Sequence, residues 1–271
     1  MTADLEIICI GNELLIGKIQ DTNAHHLSLQ ATLLGANVKR VTVIQDIVEE
    51  IAQTLNEALT RKPTFIITTG GLGPTFDDKT LQGIAKALNR KLKVNEKALK
   101  MIKQRYKEIA EQRNLPTEFE LTKPRLKMAL LPEKAEPLHN PVGTALGVLV
   151  DLKGTVLFAL PGVPLEVEAI FRETIAPMLK QAAGKNGFYE TSLYVDGLME
   201  STLSPLIDEV MDENKGVYVK SHVKVDPNKP HIEIHFTFIG QSDDEPREKL
   251  EKTKRQLSKL IEKNGLKIIS E

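Results

Sequence analysis

Residues 64–80 read Thr-Phe-Ile-Ile-Thr-Thr-Gly-Gly-Leu-Gly-Pro-Thr-Phe-Asp-Asp-Lys-Thr. The run Phe65, Ile66 and Ile67 is apolar and largely β-branched, which is typical of a buried strand. Glycines follow at positions 70, 71 and 73, and they let backbone N–H groups approach an anion without a Cβ in the way. A strand, a glycine turn and a helix, expected over residues 78–88, predict a phosphate site at a helix N-terminus.

Two carboxylates follow the glycines directly. Asp77 and Asp78 would repel a bare phosphate at close range, so a divalent cation is expected between carboxylate and phosphate. The segment is neither a Walker A loop, which needs Gly-Lys-Ser/Thr, nor the spaced-glycine pattern of dinucleotide sites. An alternative is an ordinary strand-to-helix turn in which Asp78 caps the helix. Three glycines, two carboxylates and Thr80 together favour the ligand site.

Residues 70–80, Gly-Gly-Leu-Gly-Pro-Thr-Phe-Asp-Asp-Lys-Thr, resemble the signature of the CinA (competence-damage-inducible) family. CinA proteins share a molybdopterin-binding-like domain with the MoaB/MogA molybdenum-cofactor proteins, whose related loop ends in Asp-x-Thr and matches Asp78 and Thr80. Leu72 and the Asp77–Asp78 pair resemble CinA more closely than MoaB/MogA. The resemblance is strong over residues 5–181 and weak afterwards.

Strands and helices are expected to alternate in the first part of the chain. Strands over residues 5–10, 38–44 and 65–69, joined by amphipathic helices, predict right-handed crossovers and a parallel sheet. The resemblance implies a three-layer α/β/α domain of the molybdopterin-binding type over residues 1–181, with a mostly parallel sheet. Asp46 is interpreted as a helix cap with a purely structural role. A hairpin is expected over residues 147–160.

Ligands of such sheets bind beyond the carboxyl ends of the strands. Residues 11–21 and 70–78 both follow expected strands, so their acidic motifs should meet at one edge. Taken alone, Asp21 would be an N-cap. Gly-Asn-Glu at residues 11–13 and Asp-Thr-Asn at residues 21–23 match CinA motifs, however, which makes Asp21 a site residue and Glu13 a candidate metal ligand.

Two later motifs also match CinA. In Asn-Pro-Val-Gly-Thr-Ala at residues 140–145, Asn140 could hydrogen-bond a ribose or phosphate, and Gly143 and Thr144 offer backbone and hydroxyl. The residues alone are equally compatible with a turn between strands. Leu-Pro-Gly-Val-Pro at residues 160–164 would bring another helix start to the phosphate edge, with Glu166 most simply exposed.

The resemblance implies metal-dependent hydrolysis of a nucleoside-diphosphate linkage, with ADP-ribose converted to AMP and ribose 5-phosphate. Asp21, Asp78 and Thr80 would be catalytic, and Mg, Mn, Co or Ni would be held by Glu13, Asp21, Asp77 and Asp78. The residues expected to bind substrate or phosphate are Asn23, Gly70, Gly71, Leu72, Gly73, Pro74, Thr75, Asn140, Gly143, Thr144, Pro161 and Gly162. The alternatives are a pterin-binding enzyme of molybdenum-cofactor biosynthesis and a non-catalytic nucleotide-binding protein.

A second domain is expected over residues 188–271, after a linker at 182–187. Its β-α-β-β-α pattern predicts a small α+β domain that resembles the KH-like appendage of many CinA proteins, without the Gly-x-x-Gly clamp of nucleic-acid-binding KH domains. Many CinA proteins continue into a deamidase module, and because the sequence stops at Glu271 we expect that activity to be absent.

Composition limits the partners. The 36 basic and 37 acidic side chains nearly cancel, so neither nucleic acid nor membrane is an expected partner. The single cysteine, Cys9, lies in an apolar run and is interpreted as a core residue. No basic leader or long apolar span occurs, which favours a cytoplasmic protein. A small-molecule nucleotide and a second copy of the chain, in a homodimer, are the expected partners, and residues 118–127 are a candidate lid or subunit contact.

Overall fold

The structure is a computed structural model that describes residues 3–114, 122–196, 200–224, 231–241 and 244–269. Contacts divide the chain into two compact units, one of residues 1–32 and 36–183 and the other of residues 33–35 and 184–271. The expected linker at 182–187 is not an extended segment, because a helix runs to Ala183 and a strand begins at Asn186.

A six-stranded sheet forms the centre of the first unit. Its strands are β1 (Asp4–Ile10), β2 (Asn37–Ile44), β3 (Phe65–Thr69), β6 (Glu136–Leu138), β7 (Gly147–Asp151) and β8 (Val156–Leu160). They lie in the order β2-β1-β3-β8-β7-β6. The first four in this order are parallel, and β7 and β6 continue the sheet antiparallel. The expected mostly parallel sheet and the hairpin are confirmed.

Helices connect these strands. They are α1 (Asn12–Leu15), α2 (Thr22–Leu33), α3 (Val48–Thr60), α4 (Thr80–Ala87), α5 (Glu96–Gln112), α6 (Lys123–Lys127), α7 (Pro164–Ile170) and α8 (Ala176–Ala183), with a π-helical turn at Phe171–Ile175 between the last two. A two-stranded ribbon pairs β4 (Leu92–Val94) with β5 (Leu130–Pro132). The strand expected near residues 127–131 therefore begins later, because α6 occupies residues up to Lys127. The other part of the candidate lid, residues 118–121, lies outside the described residues.

Both faces of the sheet are buried. Ile8 and Ile10 of β1 belong to one apolar cluster with residues of α3, α4 and α5, such as Ile51 and Ile102. Side chains alternate between the two faces of a strand, and the intervening Cys9 is also fully buried. A parallel sheet covered on both faces is the three-layer α/β/α architecture expected from the sequence.

Two predicted helix starts are wrong. α4 begins at Thr80 rather than Asp78, and Lys79 precedes it without a side-chain cap. α3 begins at Val48, and Ile47 rather than Asp46 precedes it. Neither aspartate caps a helix, so both carboxylates are available for other contacts.

The second unit is a small α+β fold, as expected. Its antiparallel sheet has the order β10-β11-β9-β12, formed by β9 (Asn186–Asp196), β10 (Val217–Lys224), β11 (His231–Gln241) and β12 (Ile268–Ile269). α9 (Glu200–Glu213) and α10 (Asp244–Lys263) pack on one face, where Ile234 and Phe236 are fully buried.

On the other face of this sheet, burial alone would raise the pKa of Glu233. Hydrogen bonds from His235 and Lys224 outweigh burial and lower the pKa to about 2.

No helix within the described ranges combines the length and the apolar character needed to cross a membrane.

Candidate functional site

A pocket of about 620 Å³ opens in the first unit, where the segments after β1, β2, β3 and β8 come together. These segments follow the carboxyl ends of four neighbouring parallel strands, which is where the sheet topology places a ligand site. The sequence-predicted residues that line it are Glu13, Asp21, Asn23, Gly70, Gly71, Leu72, Gly73, Pro74, Asp77, Asp78, Thr144, Pro161 and Gly162.

The glycine loop after β3 lines this pocket and carries unoccupied hydrogen-bond donors. The backbone N–H groups of Gly71, Leu72 and Gly73 have no partner among the described residues. Gly71 adopts a φ of 66°, and an added Cβ would lie 2.3 Å from Thr80 Oγ1 and 2.9 Å from Asp46 Oδ2. Only glycine allows this turn, so the sequence fixes a loop with three consecutive free donors. Adjacent free N–H groups of this kind form an anion-binding concavity.

Gly70 supports the loop instead of donating to a ligand. Its N–H donates to the carbonyl of Leu160 at 3.0 Å, and its φ is 96°. A Cβ at Gly70 would lie 2.1 Å from the carbonyl oxygen of Ile10. Gly70 lines the pocket, but its N–H joins β3 to β8 and is not free for a phosphate.

Thr80 is also structural. Its side chain is fully buried, and its hydroxyl donates to the carbonyl of Gly70 at 2.8 Å. Its N–H donates to the carbonyl of Gly71 at 3.2 Å. Thr80 neither orients Asp78 nor reaches the pocket, so its assignment as a catalytic residue is wrong for this conformation. It ties the start of α4 to the glycine loop.

Asp78 closes the loop on itself and still borders the pocket. Its Oδ2 accepts hydrogen bonds from the N–H of Thr75 at 2.8 Å and from the Thr75 hydroxyl. The Thr75 carbonyl accepts a hydrogen bond from Lys127. Thr75 thus braces the loop and is not a pocket residue, contrary to the prediction. Asp77 is exposed at the rim, and a hydrogen bond with Thr75 lowers its pKa.

Asp21 holds the start of α2 at the pocket edge. Its Oδ1 accepts a hydrogen bond from the N–H of Ala24 at 2.9 Å, as an N-cap does. Its Oδ2 is buried and lacks a partner of good hydrogen-bond geometry in the described part of the chain, but the neighbouring Cys9 thiol interacts with this carboxylate. The predicted cap is present, and the same side chain lines the pocket, where its catalytic and metal-binding roles remain predictions. Nearby, Asn23 donates to the carbonyl of Gly162 at 2.8 Å and joins α2 to the segment after β8.

Cys9 lies fully buried in β1. Burial and the neighbouring Asp21 raise the pKa of the Cys9 thiol to about 12. The prediction that Cys9 is a core residue is confirmed.

Asp46 is a pocket residue that the sequence analysis assigned to a helix cap. Its Oδ1 accepts a hydrogen bond from the N–H of Lys79 at 3.1 Å, and its side chain lies beside Gly71. Burial, together with the nearby Asp78 and Asp77, raises its pKa to about 6, although the Lys79 N–H opposes the rise. Asp46 follows the end of β2 just as the other motifs follow β1 and β3. The same rule about carboxyl ends, applied to β2, would have found it.

Asn140 organises the turn before β7. Its Nδ2 donates to the carbonyl of Ala145 and to Glu166 Oε2, both at 2.7 Å. Its Oδ1 accepts from the N–H groups of Val142 and Gly143 at 3.0 and 2.9 Å. Every polar group of this side chain is occupied and the residue is buried, so the predicted contact of Asn140 with ribose or phosphate is wrong for this conformation. Gly143 has likewise used its N–H, while Thr144 lines the pocket.

Glu166 is half-buried in the pocket wall, whereas the sequence suggested an exposed residue. It lies in the first turn of α7, which starts at Pro164 as expected. Burial raises the pKa of Glu166, against the hydrogen bond from Asn140 and the charge of Arg105. The sequence could have placed Glu166 in the pocket, because this glutamate follows β8 and the carboxyl end of β8 lies at the same edge of the sheet.

The carboxylates do not form a ready-made metal cage. Within the described residues, no three His, Cys, Asp or Glu side chains are grouped closely enough to hold a metal ion. Asp21, Asp46 and Asp78 all line the pocket, and Mg²⁺ needs only one or two carboxylates when it keeps several waters and takes other ligands from substrate phosphates. These residue types are compatible with a cation that is shared with the substrate.

Comparison with known proteins agrees with the fold of the first unit. The sequence profile of a family described as "probable molybdopterin binding domain" matches residues 6–181. A protein of Metallosphaera sedula is 41% identical over 96% of this chain and 95% of its own length. One of Caldivirga maquilingensis is 44% identical over 93% of this chain and 94% of its own length.

Among solved structures, the crystal structure of the protein CinA from Thermoplasma acidophilum is similar. It is 37% identical, covers 65% of this chain and 98% of that chain, and gives a TM-score of 0.59. This chain therefore belongs to the family with the probable molybdopterin binding domain and is a CinA-like member of it.

Proposed function

We propose that this protein hydrolyses the diphosphate linkage of ADP-ribose, releasing AMP and ribose 5-phosphate. The observation that carries the proposal is the row of free N–H groups at Gly71, Leu72 and Gly73 in a pocket that Asp21, Asp46 and Asp78 also line. Donors of this kind bind phosphate oxygens, and carboxylates at the same place require a cation as well. A diphosphate with its cation satisfies both.

Each part of the pocket has a distinct task in this proposal. The glycine loop binds and orients one phosphate, while Asp21 and Asp78, joined by Asp46, would hold the cation. A divalent cation bound here would neutralise phosphate charge and lower the pKa of the attacking water. Glu13 and Asp77 lie exposed at the rim and would contribute through outer hydration waters.

The raised pKa of Asp46 predicts how kcat/KM depends on pH. A protonated carboxyl does not hold a cation, and burial raises the pKa of Asp46 to about 6. We therefore expect kcat/KM to rise about tenfold per pH unit below pH 6 and to level off above it, since kcat/KM reports ionisation of the free enzyme. In Asp46→Asn the residual activity should lack this step. A wild-type profile that is flat from pH 5 to 8 would contradict the assignment.

The contribution of Asp46 to the free energy of unfolding should fall as pH rises, whereas kcat/KM should increase. The raised pKa means that the folded protein binds the Asp46 proton more tightly than the unfolded chain, so this stabilisation is complete below about pH 3.8 and is lost as pH rises through about 6. At pH 8, Asp46→Asn should thus unfold with a free energy about 1 kcal/mol higher than wild type. Denaturant titrations at pH 4 and pH 8 measure the difference.

A pterin substrate is the second candidate, because the chain belongs to a probable molybdopterin-binding family. Product analysis with purified protein separates the candidates. ADP-ribose, NAD, FAD and coenzyme A would each be incubated with Mg²⁺, Mn²⁺, Co²⁺ or Ni²⁺, and molybdopterin with ATP and Mg²⁺. Cation-dependent AMP from ADP-ribose is the expected result. Adenylylation of the pterin without any hydrolysis of diphosphates would favour the second candidate.

A further inference from the structure

Glu166 brings a hydrogen-bond acceptor into a pocket whose other wall donates to phosphate. Its Oε2 accepts from Asn140 at 2.7 Å. Its Oε1 has no hydrogen-bond partner among the described residues, and the side chain borders the pocket together with Thr144. The phosphate and cation contacts described above give this carboxylate no role.

The carboxylate is held in place by a connected set of side chains. Asn140 fixes Oε2 while its other polar groups hold the turn of residues 140–145. Arg105 of α5 donates to the carbonyls of Gly143 and Val142 at 3.0 and 2.6 Å, which fixes the same turn from outside. A Cβ at Gly143 would lie 2.1 Å from Glu166 Oε1, so glycine is required for the carboxylate to occupy this position.

A carboxylate fixed in this way recognises groups that donate hydrogen bonds, because its charged form can only accept them. A ribose next to a phosphate presents such donors as neighbouring hydroxyls, and an acidic side chain that binds the ribose hydroxyl is a known solution in dinucleotide sites. We propose that Glu166 binds the hydroxyl groups of a ribose ring of the substrate. The proposal rests on the proposed function for the phosphate position and adds the residue that selects an unmodified ribose.

Calorimetric titration with nonreacting ligands tests this contact. The probes are AMP and ribose 5-phosphate, each paired with its 2-deoxy counterpart, in EDTA-free buffer with Mg²⁺. In the wild type, loss of the hydroxyl should weaken binding roughly tenfold in at least one pair, as expected for a hydrogen bond to a charged group. In Glu166→Gln, which keeps an oxygen for Asn140, that penalty should shrink to roughly threefold or less.

A second probe uses the charge of Glu166. Adenosine 2′,5′-bisphosphate should bind the wild type more weakly than AMP does, and Glu166→Gln should remove much of that difference. Glu168→Gln is the matched control, because Glu168 lies on the same helix and does not line the pocket. It should behave as wild type with every probe.

The outcomes separate the two proposals. The ribose contact is overturned if the wild type binds AMP or ribose 5-phosphate and binds the 2-deoxy counterpart equally well. It is also overturned if loss of the hydroxyl weakens binding equally in the wild type and in Glu166→Gln. Either result leaves the proposed function standing. No binding of any phosphate probe by the wild type overturns both. Because the wild-type titrations alone can overturn the contact, the test holds even if the variant folds poorly.

Discussion

Replacing Asp78 with asparagine is expected to lower kcat/KM for ADP-ribose by about 100-fold or more, the usual effect of losing a key electrostatic group. Asparagine removes the charge that would hold the cation. It keeps an oxygen that can accept from the Thr75 N–H and hydroxyl, so the loop should be preserved. The thermal midpoint should therefore stay within a few degrees of wild type.

Asp77→Asn is the matched control for this variant. The two aspartates are adjacent, but Asp77 is exposed at the rim while Asp78 is half-buried against the loop. We expect Asp77→Asn to change kcat/KM by less than about tenfold, as exposed charges contribute little. Equal losses in both variants would mean that the total negative charge matters and that Asp78 has no specific role.

Gly71→Ala is expected to abolish phosphate binding and to destabilise the fold by about 1 to 3 kcal/mol. Two effects combine at this position. The φ of 66° is strained for alanine, and the new Cβ would lie 2.3 Å from Thr80 Oγ1. Because Thr80 also ties the loop to α4, the alanine must displace either the donors or the helix start. Titration with AMP and denaturant unfolding measure the two losses.

Gly17→Ala is a control that separates backbone strain from steric clash. Gly17 has a nearly identical φ of 69°, but an added Cβ there meets no atom within 4 Å. This variant should lose about 1 kcal/mol of stability through backbone strain alone and should bind AMP normally. If Gly71→Ala also binds AMP normally, the free N–H groups of the loop are not the phosphate site.

Much of the fold followed from local patterns. The strands at Asp4–Ile10 and Phe65–Thr69 are short apolar runs followed by turn residues, and these patterns were enough to predict a parallel sheet. The resemblance located the loops that line the pocket. Helix starts were less predictable, because an aspartate such as Asp46 can cap a helix or turn into a cleft with the same neighbours in sequence.

The roles within the site depended on contacts that sequence does not record. Thr80 and Asn140 belong to conspicuous motifs, yet both are buried, and their side chains form hydrogen bonds with other protein groups. Glu166 looked incidental, yet a residue 26 positions earlier, Asn140, fixes it in the pocket wall. A motif thus marks a loop whose shape matters, whereas residues outside the conspicuous motifs, such as Asp46 and Glu166, also line the pocket.

In the proposed reaction, water attacks a diphosphate held in this pocket, and hydrolysis of ADP-ribose in ¹⁸O-labelled water tests this step most directly. Mass spectrometry of the products should show one ¹⁸O atom in the phosphate of either AMP or ribose 5-phosphate, and product formation should require a divalent cation and fall sharply in Asp78→Asn. The absence of AMP, or AMP and ribose 5-phosphate with no label in either phosphate, would contradict the account.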